Sequence, residues 1–248
     1  MTVHCLPSFV ECGCTLGTNR CLSVARQISS HACLYQGFAN YCLVATGQEI
    51  SGRHESVRAY VAQAKDQLDE AGRLVSERYA WRGYLTRSAS ACPSAKHPSA
   101  VTLIARAGGA TVGTMTVGLD GPGGLSVDES YGEQVSAARS QGRRVCELTR
   151  LALAKQANTK TVLSSLFALA YGIASALHDV TDVFIEVNPR HVGFYRRVFG
   201  FATAAGERMC QRVHAPAVLL YASVDELEAR LNRYCNPEAR AVHQFAGA

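Results

Sequence analysis

Two β-branched runs meet at Gly108-Gly109 in "VTLIARAGGATVGTMTVGLD", and that junction limits the possible folds more than any other stretch of the chain. Paired glycines supply the positive φ of a two-residue hairpin turn, so the runs predict neighbouring antiparallel strands. Upstream, Val57, Tyr60, Val61, Ala64, Leu68, Ala71, Leu74, Val75 and Tyr79 recur at helical spacing, which predicts one amphipathic helix starting at Ser56. Downstream, helices and strands alternate. A short polar helix is expected over roughly Glu129 to Ser140, followed by a strand "VCELTRLAL" (145–153). Next comes a helix whose broad apolar face carries Val162, Leu166, Phe167, Ala170, Ile173 and Leu177. "DVFIEVN" reads as a strand stopped by Pro189, "RHVGFYRRVFG" as a helix ended by Gly200, and "APAVLLYASV" as a strand leading into "DELEARLNRY", a helix capped by Asp225. This order indicates a layered α/β (α+β) architecture in which helices cover a mixed sheet.

Composition narrows the function classes. With 48% apolar and 18% charged residues the chain can bury a core, which argues against disorder throughout. A net charge of +5 is modest, and the basic residues are scattered, so nucleic acid is not the expected partner. No apolar run is long enough to span a bilayer, and "MTVHCLPSFVECGC" has no export-signal pattern, so a cytoplasmic location is expected. The ten cysteines then read as reduced thiols. Several of them crowd residues 1–52, read as a weakly ordered cysteine-rich extension ahead of a domain over 53–235 and a tail over 236–248. Their spacing includes C-x-C but no C-x-x-C, which supports a zinc site poorly, and no metal is expected.

The strand at 145–153 poses a question, because Glu147 and Arg150 interrupt an apolar run. Burying such charges costs several kcal/mol unless they are paired or used. A structural ion pair is one reading and substrate handling is the other. Parity on a regular strand puts Glu147 and Thr149 on one face and Arg150 on the opposite face; a single bulge would bring both charges to the same side.

"IEVNPRHVGFYRRVFGF" (185–201) resembles the late strand and helix of the GCN5-related N-acetyltransferase (GNAT) superfamily. Within it, "CELTRLAL" is similar to the Glu-x-[Ser/Thr]-Arg strand shared by acyl-homoserine-lactone synthases and bacterial N-acyl amino acid synthases, and "HAPAVLLYASV" with the long connection before the strand looks closer to the second group. The resemblance covers roughly residues 56–224. It implies a mixed, largely antiparallel central sheet flanked by helices on both faces, with a bulge near Arg150. It also implies an N-acyltransferase that moves an acyl group, long-chain in the related enzymes, from acyl carrier protein to the amine of an amino acid. One departure concerns the donor: "LAKQANTKTVLSS" has no glycine where acetyltransferases cradle the coenzyme A pyrophosphate, which favours the carrier protein over acyl-CoA. No bound cofactor is expected.

Site residues follow from these implications. Glu147 is the expected general base, Arg150 orients it or binds the substrate carboxylate, and Tyr195 protonates the departing thiolate. Backbone at Leu151, Ala152 and Leu153 is expected to hold the oxyanion and the pantetheine. Thr149, Glu186, Asn188 and Asp120 are substrate-binding candidates, although Asn188 also reads as a helix cap and Asp120 as a turn residue. Lys155, Lys160, Arg190, Arg196 and Arg197 are carrier-docking candidates or ordinary solvated surface. Cys146 reads as a buried structural thiol sooner than a nucleophile, and Trp81, Tyr84 and the aromatic residues of the long helix, Tyr79 among them, as core or as walls of an acyl tunnel or a substrate ring pocket. A lactone synthase using S-adenosylmethionine and a non-catalytic acyl-binding module are the alternatives.

Overall fold

In the computed structural model, which describes residues 57–84 and 99–235, Arg58–Val61 is a strand (β1) and only Lys65–Trp81 is helical (α1). The single long helix expected from Ser56 is therefore corrected. β1 pairs antiparallel with the next strand, and its side chains alternate: Val57, Ala59 and Val61 pack into one core cluster while Tyr60 and Ala62 join another. Five residues fit either period, and pairing decides between them. The expectations for the cysteine-rich extension, its zinc question and the 236–248 tail lie outside the described residues.

The hairpin forms as predicted. β2 (Ala100–Ala107) and β3 (Ala110–Leu119) are joined by Gly108 and Gly109, both at positive φ (54° and 82°). Then follow α2 (Asp128–Ser140), β4 (Val145–Leu153), α3 (Thr159–Gly172, prolonged by a wider turn to Leu177) and β5 (Asp182–Val187). α4 (Val192–Phe199), β6 (Ala202–Cys210), β7 (Ala215–Ser223) and α5 (Val224–Cys235) complete the order. Asp225 does not cap α5; the Ser223 hydroxyl accepts the Glu226 N–H instead. β6 carries no apolar alternation because it is a sheet edge, largely exposed and shifted in register twice against β7.

The seven strands run β1-β2-β3-β4-β5-β7-β6, and only β4 and β5 are parallel. α3, α4 and α5 bury Leu163, Leu166, Phe167, Phe199, Leu227 and Leu231 against one face, and Phe167 stacks on Phe199 at 4.1 Å. α1 and α2 cover the other face through Ala71, Tyr131 and Val135. The expected mixed, largely antiparallel sheet with helices on both sides is present. Among the described residues no helix is long and apolar enough to cross a membrane.

Two irregularities in the sheet create the site. Pairing between β4 and β5 stops after Val145↔Asp182, Cys146↔Val183 and Glu147↔Phe184, so the strands separate beyond it. At the same place β4 slips against β3: Thr116 pairs with Thr149 but Thr114 with Ala152. Arg150 sits at the slip with φ 52°, a left-handed conformation that an arginine adopts only where its surroundings impose it. Cys146, Leu148, Leu151 and Leu153 consequently all pack into the same core cluster, which strict alternation would forbid. The extra residue also bends β4, which carries its second half away from β5.

Candidate active site

A cavity of about 470 Å³ fills the gap between the separating strands. Leu148 to Lys155 form one wall and Ile185 to Asn188 the other; Phe167, Phe194 and Tyr195 close the side beneath the helices. A second cavity, of about 380 Å³, lies between the Ser126–Glu129 turn and the segment Cys210–Ala217. Tyr79, Tyr84, Thr149, Arg150, Glu186 and Asn188 line both. Molecules held in the two spaces would meet at those shared residues.

Glu147 stands outside both spaces. It is 4% exposed, and its two carboxylate oxygens accept the N–H groups of Ser126 (2.9 Å) and Val127 (2.8 Å), just ahead of α2. Gly118 opposite makes room: a Cβ there would lie 2.7 Å from the Glu147 Cγ. The general-base expectation for Glu147 is corrected on this geometry, since both oxygens are engaged by backbone and neither cavity reaches it. Its carboxylate secures the Ser126–Glu129 turn, which is a wall of the second cavity, and lies where the helix dipole favours negative charge. A buried carboxylate in a strand is thus accommodated by backbone N–H donors.

Asp120 is likewise corrected. Arg139 grips it with two hydrogen bonds (2.7 and 2.8 Å) and holds Asp128 with two more (2.9 and 2.8 Å), while Asp128 also accepts the Leu125 N–H at 2.8 Å. This cluster braces the connection from β3 to α2 and borders neither cavity. Tyr131 extends the brace, its hydroxyl donating to the carbonyl of Ala217 (2.6 Å) on β7.

Arg150 and Thr149 line both cavities, as do Glu186 and Asn188. The Asn188 side chain performs two structural tasks as well, accepting the Arg190 N–H and donating to the carbonyl of Pro216, each at 3.3 Å. Tyr195 borders the first cavity within a ring of Phe167, Phe194, Phe199 and Phe201, and burial pushes its hydroxyl pKa well up. Leu151, Ala152 and Leu153 line the first cavity; Leu151 lacks a partner in the β3 register, whereas Ala152 and Leu153 pair with Thr114 and Gly113.

Of the basic candidates, Lys155 is exposed and lines the first cavity. Lys160, Arg190, Arg196 and Arg197 are exposed but line neither space, and Arg190 donates to the Tyr84 hydroxyl (3.0 Å). Trp81 is no tunnel wall: it is 62% exposed, with the guanidinium of Arg78 at 4.7 Å and that of Arg82 at 4.5 Å from its ring centre. Cys146 is buried, and burial pushes its thiol up, so it is inert as a nucleophile.

Three arginines of the site escaped the sequence. Arg78 and Arg82 border the first cavity, and their spacing with Trp81 on one helical face was a readable signal. Tyr79, one of the aromatic candidates of the long helix, lies between the two cavities, with burial pushing its pKa up to about 12. Arg212 lines the second cavity and reaches the Ser126 carbonyl, Glu129 (3.3 Å) and Glu186. Only tertiary folding reveals that role, because Arg212 comes from the turn between β6 and β7.

The family model for N-acyl amino acid synthase FeeM matches residues 70–223. The chain belongs to that family. It is an N-acyltransferase, and the matched segment runs from α1 to the end of β7, taking in both cavities. Among solved structures, FeeM, an N-acyl amino acid synthase from uncultured soil microbes, is 26% identical with a TM-score of 0.64, covering 73% of this chain and 96% of its own. The acyl-homoserine-lactone (AHL) synthase LasI is 13% identical with a TM-score of 0.49, covering 73% of this chain and 95% of its own. No curated protein matches the chain.

Proposed function

We propose that the enzyme joins an acyl group, carried as a thioester on acyl carrier protein, to the amine of an amino acid. The observation that carries this reading is the opening between β4 and β5, where a cavity walled by Leu148, Leu151, Leu163, Phe167 and Phe194 shares Thr149, Arg150, Glu186 and Asn188 with a second cavity that also holds Glu129 and Arg212. The acyl chain and pantetheine arm would occupy the first space along Leu151–Leu153, and the amino acid the second. Arg150 would take the acceptor's carboxylate in a two-pronged hydrogen bond, with Thr149 and Asn188 beside it. Tyr195 would hydrogen-bond the leaving sulfur.

The start of α3 supports a carrier protein over coenzyme A. Its N-terminus is capped by its own Asn158, whose Oδ1 accepts the Thr161 N–H at 3.3 Å, and no glycine loop precedes it. A pyrophosphate would have to displace that cap. Arg78, Arg82 and Lys155 place positive charge around the mouth, which suits an acidic carrier. Reversing Lys155 and Arg82 to glutamate together should raise the KM for acyl carrier protein about tenfold and flatten its salt dependence. Turnover of a small pantetheine thioester should fall much less; equal loss with both donors would remove these residues from docking. The buried thiols Cys146 and Cys210 are compatible with a reducing cytoplasm, which belongs to the same proposal.

Incubation with acyl carrier proteins loaded with short to long chains and a pool of amino acids, followed by mass spectrometry, tests the reading. An N-acyl amino acid is expected, a homoserine lactone made from S-adenosylmethionine would reassign the reaction, and binding without product would leave an acyl-binding module.

A further inference from the structure

Glu186 is the acidic side chain that the strand separation leaves facing the shared wall. On β5 it pairs with Leu219 of β7, and it has no partner on β4 because that ladder has ended at Glu147↔Phe184. Its side chain is only 6% exposed. Oε2 accepts a hydrogen bond from Arg212, but Oε1 is buried and, among the described residues, has no hydrogen-bond partner. Buried carboxylate oxygens are seldom left so, because they have given up water and gained nothing in return. Glu147, only two sheet positions away, shows the usual outcome, with both oxygens saturated by backbone N–H groups. An unsatisfied acceptor in the wall of two cavities is a site awaiting a donor.

The surroundings define that donor. Arg150 and Arg212 supply positive charge to the same wall, and Arg212 also fixes the orientation of Glu186 while bridging to Glu129 at 3.3 Å. A simple cation would be repelled by the two guanidinium groups, and a simple anion by the two carboxylates. A zwitterion satisfies both signs at once, its ammonium on Oε1 of Glu186 and its carboxylate on Arg150. We propose that Glu186, and not Glu147, binds the acceptor's ammonium and removes its proton; this rests on the acyl-transfer reading above.

The step balances without any further reactant. One ammonium proton passes to Glu186, and the amine lone pair attacks the thioester carbonyl carbon to form the C–N bond. The carbonyl electrons move to oxygen and return as the C–S bond breaks. The nitrogen then sheds its second proton, the thiolate takes up one, and Glu186 releases the other to water. Arg212 is a positioning residue in this scheme.

The test compares wild type with Glu186→Gln, which keeps the shape and an acceptor for Arg212. With loaded carrier protein saturating, the variant should lose about a hundredfold in kcat/KM for the amino acid at neutral pH and regain about tenfold per pH unit, since only already neutral amine reacts. Its affinity for the amino acid, measured calorimetrically, should fall about tenfold, while affinity for the same molecule lacking the amine is unchanged. Glu186→Asp covers the case in which glutamine disturbs folding: it should keep the wild-type pH profile at a lower rate. A Glu186→Gln enzyme with wild-type rate and pH profile, or a Glu186→Asp enzyme that needs alkaline pH, overturns the assignment alone. Failure of the wild type to make any N-acyl product overturns the reaction itself and this assignment with it.

Discussion

Replacing Glu147 by alanine is expected to destabilise the fold by about 3–5 kcal/mol, read as a lower urea midpoint with unchanged slope. The side chain is 4% exposed, so water cannot take over its bonds without opening the sheet. Removal orphans the N–H groups of Ser126 and Val127 and takes a negative charge from the start of α2. Each buried unsatisfied donor costs about 1–3 kcal/mol, and the lost methylenes leave a void against Gly118. Glu147→Gln should cost about 2 kcal/mol, because its amide nitrogen would face a backbone N–H, donor to donor. Both variants should lose activity by displacing the Ser126–Glu129 wall, yet any remaining activity should keep the wild-type pH profile. A Glu147→Gln protein as stable as wild type, with an alkaline-shifted profile, would return the general-base role to Glu147.

Arg150→Gly should separate function from stability in the opposite direction. Arg150 holds φ at 52°, which costs an ordinary residue about 1–2 kcal/mol and costs glycine nothing. The bulge should therefore survive, and backbone relief should offset much of what the lost side chain contributed, leaving stability within about 1 kcal/mol of wild type. Activity should collapse. A two-pronged hydrogen bond between charged partners contributes about 3 kcal/mol, so the KM for the amino acid should rise roughly a hundredfold while that for the acyl donor stays put. Arg150→Lys should recover little, because an ammonium cannot reproduce the planar fork. A rise confined to the donor KM would place the carboxylate elsewhere, with Arg212 the next candidate.

The two charged residues of "VCELTRLAL" that raised the question thus have different answers. Glu147 is a structural carboxylate and Arg150 a cavity residue, and their separation by three positions does not distinguish these roles. The sequence did foreshadow the bulge, through the parity conflict and the family resemblance, and the register of β3 with β4 bears it out. It also placed Thr149, Arg150, Glu186, Asn188 and Tyr195 among the candidates, and all five line a cavity. It did not place Arg212, which comes from the far end of the domain, and it overrated Asp120, whose partner Arg139 lies a helix away.

Local chemistry explains what could be read in advance. The Gly108-Gly109 turn, the apolar face of α3 and the stop at Pro189 each depend on neighbours within a few residues, so the chain by itself determined the hairpin, most helices and the layered class. β1 and β6 depended on a partner strand: one was short enough to mimic a helical turn, and the other is an exposed edge without apolar alternation. The tertiary structure alone decided which carboxylate is satisfied, because that depends on where N–H groups from distant turns arrive. Among the described residues, backbone donors reach Glu147 and none reaches Oε1 of Glu186, a difference in hydrogen bonding that no spacing of residues encodes.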